Sequence, residues 1–212
     1  GYFNHDESMK KIADNVKTYS ENYRVLTIVH SDNGLEYGDI PKDIELMGFV
    51  LIKDKIRFNA TNTLDFFKNQ GVKLKVISGD NPYTISKIAN RVNIDDSSDY
   101  IDVSSLKNDN EVKDAATKYT IFGRVTPIRK QIIVKALKDS GKTVAMVGDG
   151  VNDVLAMKEA DCSVAMASGS DISRNVAHLV LLNSDFASMP KAVAEGRIAI
   201  NNIQRSSTLF IV

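Results

Sequence analysis

Asp149 and Asp153 stand four residues apart in M-V-G-D-G-V-N-D, directly behind the apolar run Thr143-Val144-Ala145-Met146-Val147. That run is short, with β-branched residues at three of five positions, and reads as a strand covered on both faces of a parallel sheet. Gly148 and Gly150 let the chain turn sharply and leave backbone N–H groups uncovered. If a helix starts near Val151, the two carboxylates flank its first turn and can face one point. Carboxylates and bare amides at a strand's C-terminal end suit a hard cation such as Mg2+ beside a phosphate. Taken alone, Asp149 is equally well placed as a helix N-cap.

Two further segments place polar groups at strand ends. V-K-L-K-V-I runs into Ser78-Gly79-Asp80, a hydroxyl, an open amide and a carboxylate. By itself this is also an ordinary turn and helix cap before Asn81-Pro82. I-F-G-R-V-T-P-I-R-K puts Arg129 and Lys130 in the first turn of a helix, where cations oppose the helix dipole. An anion bound between them would remove the conflict; solvated surface cations are the plain alternative.

The elements that must hold these residues alternate. Helix 59–70 stops at Gly71, strand 72–77 follows, and a helix opens at Pro82. Residues 95–118 read as a loop and a short polar helix, and 119–122 as a strand. Thr126-Pro127 supplies an N-cap and first position for helix 127–139, with Ile128, Ile132, Ile133, Ala136 and Leu137 on one face. Strands 143–147, 161–166 and 178–182 alternate with helices 151–159 and 170–177, and a last helix runs from about Pro190. Alternation of this kind predicts an α/β fold with a doubly wound parallel sheet, ligands lying at the carboxyl ends of its strands. Residues 1–52, a polar helix and the strands 23–30 and 45–52, are too few for a core of their own and read as the remnant of a second domain.

Composition narrows the function classes. Lys and Arg number 27, as do Asp and Glu, so no net field recruits nucleic acid or an anionic membrane. The one cysteine, Cys162, excludes an internal disulfide framework, and D-C-S-V-A-M reads as a buried strand position. No apolar stretch approaches the roughly 18 residues needed to cross a bilayer, and no signal peptide is visible. The chain starts at Gly1 and stops at T-L-F-I-V, so both ends read as cut from a longer polypeptide.

Together the segments match three of the four haloacid-dehalogenase superfamily motifs: serine after one strand, lysine at a helix start, and G-D-x-x-x-D after another strand. More closely, the chain resembles the catalytic region of a P-type cation-transporting ATPase. M-V-G-D-G-V-N-D is similar to that family's G-D-G-x-N-D, I-S-G-D-N to T-G-D, F-G-R-V-T-P-I-R-K to R-V-x-P-x-x-K, and I-K-D-K-I-R to the D-P-P-R hinge. E-G-R-I-A-I-N-N-I-Q-R-S resembles the stalk that leads into a membrane helix.

The resemblance implies a haloacid-dehalogenase-like Rossmannoid fold, with 1–52 ending a nucleotide-binding domain, 53–189 forming most of a phosphorylation domain and 190–212 a stalk. It implies an ATP-driven cation pump working through an aspartyl-phosphate, with this portion on the cytoplasmic side of a membrane. Its partners would be ATP and the remainder of the pump. Asp149 would ligate Mg2+, with Asp153 supporting the metal shell. Asn152 would hold the phosphoryl group or its water, Lys130 would neutralise charge developing on it, and Ser78 would donate to it. Gly79, Asp80, Arg124 and Arg24 would approach the nucleotide.

The departures are a serine for threonine in T-G-D, Lys55 and Ile56 for the hinge prolines, and Val154-Leu155-Ala156-Met157 for A-P-A-L. The nucleophile motif D-K-T-G-T does not occur in the sequence, which implies no turnover by this stretch alone. It also implies that strands 72–77 and 143–147 lack the strand that lies between them in the superfamily. They should then stand about 10 Å apart around a defect rather than pair at about 5 Å. A stand-alone phosphatase of the same superfamily, or a module binding Mg2+ or nucleotide without turnover, is the alternative.

Overall fold

The computed structural model describes residues 5–20, 23–32, 45–53 and 55–211. The chain divides into two compact units, Gly1–Ile56 and Arg57–Val212. In the first, helix α1 (His5–Ser20) precedes strands β1 (Arg24–His30) and β2 (Glu45–Ile52). These pair antiparallel, Arg24 opposite Ile52, with the register slipping between Ile28 and Val29. Tyr19 packs edge-on against Phe49 at 5.6 Å.

The second unit is the α/β body. Its elements run α2 (Ala60–Asn69), β3 (Val76–Ile77), α3 (Pro82–Arg91), β4 (Tyr100–Asp102), α4 (Asp109–Lys118), β5 (Ile121–Gly123) and α5 (Pro127–Asp139). They continue with β6 (Ala145–Gly148), α6 (Val154–Glu159), β7 (Cys162–Met166), α7 (Asp171–Val176), β8 (Leu179–Leu181) and α8 (Met189–Ile211). The strands form two three-stranded parallel sheets, ordered β3-β5-β4 and β6-β7-β8. Among the described residues β3 pairs only with β5 and β6 only with β7. The two strands do not pair with each other, in agreement with a sheet interrupted at its centre.

Each half-sheet has its own core. Phe122, Val103 and Val112 anchor one; Met157, Ala156 and Ala165 anchor the other. Helix α5 belongs to both, burying Ile133 in the first and Val134 in the second. Its start follows the sequence signal, for the Thr126 hydroxyl accepts the Arg129 N–H and Pro127 takes the first position. Of its expected apolar face, Ile132, Ile133, Ala136 and Leu137 lie in or against the first core, and Ile128 alone departs, at 64% exposed. The helix also buries Lys130 and Val134, outside that face, because it packs between α4 and α6.

Three other readings are corrected. The strand expected over 72–77 is confined to Val76–Ile77, the only part that finds a partner on β5. A strand, β4, lies in the stretch read as loop. Cys162 is exposed: it opens β7, and the buried run starts one residue later at Ser163.

Asp161 ties the start of β6 to the end of α5. Its carboxylate accepts the Val144 N–H at 2.8 Å and pairs with Lys138 at 3.2 Å. The Val144 N–H first, and Lys138 after it, hold this carboxyl below its ordinary value of 3.8. A depressed carboxyl contributes stability above its unfolded pKa and loses it as pH falls through the folded one. Asp161→Asn should therefore melt below the parent at pH 7 and converge with it as acid titrates the depressed carboxyl. A difference in melting temperature that does not narrow from neutral into acid pH would exclude this role.

Candidate functional site

Three strands end at one cavity. Ile77 and Ser78 close β3, Val147, Gly148 and Asp149 close β6, and Met166 closes β7 around a space of about 340 Å3. Lys130 enters from the first turn of α5 and Asp153 from the 3-10 turn Val151–Asp153. The open edges of β3 and β6 both reach this space, so the interruption of the sheet and the polar cluster coincide.

Lys130 and Asp153 form the centre. Lys130 Nζ donates to Asp153 Oδ1 at 2.6 Å, with the side chains only 10% and 12% exposed. Asp153 Oδ2 accepts the Gly150 N–H at 3.4 Å, so one carboxylate serves both the lysine and the turn. Gly148 is required here: a Cβ would lie 2.6 Å from the Asp153 Cβ and 3.0 Å from the Met157 sulfur. The strand's last residue thus has no side chain because the ion pair passes against it. Asp149, one residue on, is exposed.

The loop after β3 is sewn to the loop after β5. Ser78 N–H donates to the Phe122 carbonyl at 2.9 Å, Val125 N–H to the Ser78 carbonyl at 3.0 Å, and Arg124 N–H to the Asp80 carbonyl at 2.8 Å. The Ser78 hydroxyl accepts the Asp80 N–H at 3.2 Å. Arg124 sits at φ 51°, a left-handed conformation uncommon for a residue with a side chain. Its guanidinium donates to Asp102 Oδ2 at 2.9 Å. The Ser104 hydroxyl first, and Arg124 with it, hold the Asp102 carboxyl below the usual range.

Of the residues singled out in the sequence, Ser78, Lys130, Asp149 and Asp153 meet at the cavity. Asn152 is exposed on the 3-10 turn, and Gly79, Asp80 and Arg124 lie on the adjoining loops without lining the space. Arg24 opens β1 in the other unit, and its side chain falls outside the described residues, as does Asp54 of the hinge-like segment. Arg129 is not available to an anion beside Lys130. Its guanidinium donates to the carbonyls of Val103 and Leu106, the latter at 2.9 Å, which resolves its conflict with the helix dipole. Sequence reasoning missed Asp102, which holds Arg124, and the apolar wall of Ile77 and Met166. The wall was signalled by position, as the last residue of a parallel strand; Asp102 had no signal.

Among the described residues no three His, Cys, Asp or Glu side chains gather into a metal cage. The donors present fit Mg2+, which takes one or two carboxylates and completes its shell with water and phosphate oxygens. Asp149 is the exposed carboxylate at the cavity; Asp153 is already committed to Lys130.

Residues 7–161 match the family profile of the haloacid dehalogenase-like hydrolases. The chain belongs to that family. Its relatives include a probable cation-transporting ATPase of Streptococcus pneumoniae, 44% identical over 191 residues, which cover 89% of this chain and 24% of that protein. A calcium-transporting ATPase of Mycobacterium bovis is 43% identical over 193 residues, covering 91% of this chain and 24% of that protein. The chain therefore spans about a quarter of the length of the curated relatives it matches. A zinc-transporting PIB-type ATPase of known structure has the same fold, with a TM-score of 0.65 at 22% identity, covering 94% of this chain and 27% of that one. The catalytic domain of a CPx-ATPase, described for its conformational changes upon nucleotide binding, is 26% identical with a TM-score of 0.50, covering 78% and 56%.

Proposed function

We propose that this chain is part of an ATP-driven cation pump of the P-type, working with Mg2+ through an aspartyl-phosphate. Residues 1–52 would end its nucleotide-binding domain, 53–189 would form the phosphorylation domain and 190–212 a stalk toward a membrane segment, all on the cytoplasmic side. The observation that carries the reading is the cavity at the carboxyl ends of β3 and β6, where Ser78, Lys130 and Asp149 converge beside two unpaired strand edges. The cation-transporting names of the relatives point the same way.

In this reading the phosphoryl group sits in the cavity between the Ser78 hydroxyl and the Lys130 ammonium. Phosphoryl transfer asks mainly for positioning and charge stabilisation. Lys130 supplies positive charge from a dry position, where it acts more strongly than in water. Asp153 aims it, since the ion pair fixes where Nζ lies. Ser78 donates one hydrogen bond, and Asn152 orients the phosphoryl group or the attacking water. Mg2+, when bound at Asp149, would neutralise charge on the phosphate oxygens. Gly79, Asp80, Arg124 and Arg24 would contact ATP.

The stretch carries no D-K-T-G-T, so it should form no acid-stable phosphoprotein with labelled ATP and Mg2+. Its Mg2+ affinity should be millimolar or weaker, since Mg2+ gives up water reluctantly with one free carboxylate. Phosphoprotein formation, or hydrolysis abolished by Asp149→Ala, would overturn the inactivity. The genomic reading frame tests the pump itself: D-K-T-G-T upstream and apolar helices downstream are expected, and stop codons bounding this stretch would refute it.

A further inference from the structure

The main chain of Asp149 is gripped from a segment that no motif includes. Its carbonyl accepts the Ser170 N–H at 2.8 Å. The Ser173 hydroxyl, fully buried, lies 3.2 Å from the same oxygen and 2.8 Å from the Ser170 carbonyl, so its one proton is shared between them. Gly169 presses against this group so closely that a Cβ there would sit 2.4 Å from the Asp149 oxygen and 3.0 Å from its Cα. Arg174 in turn fixes the loop, donating to the carbonyls of Ala167 at 2.6 Å and Gly169 at 2.9 Å.

The opposite edge of the same peptide is held too. In a trans peptide the C=O of one residue and the N–H of the next point in opposite directions. The Gly150 N–H faces Asp153 Oδ2, and Asp153 is fixed by Lys130. The plane joining Asp149 to Gly150 is thus clamped between the β7–α7 loop on one edge and the buried ion pair on the other. With Gly148 held before it in the β6–β7 ladder, this clamp restricts the direction in which the Asp149 side chain leaves the backbone. Closing helix α7 does not require these contacts, because the Ser170 hydroxyl already caps it by accepting the Ser173 N–H at 3.1 Å.

We propose that Gly169 and Ser173 are positioning residues for Asp149, setting the carboxylate where a divalent cation is bound beside the phosphate. The proposal rests on the reading of Asp149 as the metal-bearing group. Site geometry is tolerant only to about 0.5 Å, so displacing this backbone should be felt in metal affinity.

The test is a Mg2+ titration of the 212-residue chain, read from the amide shifts of Gly150 and Asn152, with thermal melts of each metal-free variant. Gly169→Ala should weaken Mg2+ about tenfold and Ser173→Ala about threefold, and both should move the Gly150 amide before metal is added. Ser86→Ala is the control: it removes a buried hydroxyl that donates to the Ser97 carbonyl at 2.7 Å, and should lower the melting temperature while leaving Mg2+ affinity at the parent value. Asp149→Asn should abolish binding. If Asp149→Asn binds Mg2+ like the parent, the reading of Asp149 fails. If it loses binding while Gly169→Ala and Ser173→Ala keep parent affinity, the positioning role is overturned. Should Gly169→Ala not fold, Ser173→Ala decides alone, and a loss in Ser86→Ala equal to that in Ser173→Ala would also overturn the proposal.

Discussion

Replacing Lys130 with methionine should destabilise the chain by about 3–5 kcal/mol, the cost of leaving a buried charge without its partner. The expectation follows from the 2.6 Å pair with Asp153, whose carboxylate has little water of its own at 12% exposure. Methionine fills much of the same volume, so the loss reads the charge rather than a cavity. Asp153 would keep only the Gly150 N–H at 3.4 Å, a weak substitute. The double variant Lys130→Met with Asp153→Leu should recover most of the loss, because removing both charges removes the desolvation cost as well. Denaturant unfolding of the four proteins completes the cycle. A loss below about 1 kcal/mol in Lys130→Met, the range of exposed pairs, would mean that water reaches the pair and that the site is not dry.

The second large effect concerns the interrupted sheet. A peptide with an apolar strand followed by D-K-T-G-T should insert between β3 and β6 and raise the melting temperature. Both edges offer parallel-sheet hydrogen-bonding groups, and the cavity between their ends has apolar walls at Ile77, Val147 and Met166. Ligand at about 100 times its dissociation constant stabilises by about 2.7 kcal/mol. For a chain of this size that corresponds to roughly 5–10 °C. A scrambled peptide should do nothing. If the chain melts cooperatively above about 65 °C, beyond the usual range for such domains, and ignores the peptide, the two edges are not an open site.

Much of this was legible because turn chemistry and pattern agreed. Thr126-Pro127 marked the start of α5, and the Gly148 to Asp153 run marked a tight turn with clustered carboxylates; both are local, and local signals survive folding. What failed was decided by distant partners. Strand 72–77 alternates apolar residues with Lys73 and Lys75 as a strand would, yet only Val76 and Ile77 find a ladder. β4 is three residues in a polar stretch, too short for a period to show, and exists because β5 lies beside it. The face of α5 was read too narrowly: Ile132, Ile133, Ala136 and Leu137 meet the first core as expected, but a helix with neighbours on two sides also buries Lys130 and Val134. Arg129 looked like an anion ligand because sequence cannot show the carbonyls of Val103 and Leu106 arriving beneath it.

The exposed Cys162, the only cysteine in the chain, turns the molecule into a ruler. It opens β7 at the end away from the cavity, and Met166 at the other end lines that cavity. Four residue steps of strand separate them, about 13 Å at about 3.3 Å per step. A nitroxide attached at this one thiol would sense a paramagnetic ion seated at Asp149 through their dipolar coupling. The same label would report, by loss of that coupling, any rearrangement that pulls the ends of β6 and β7 apart.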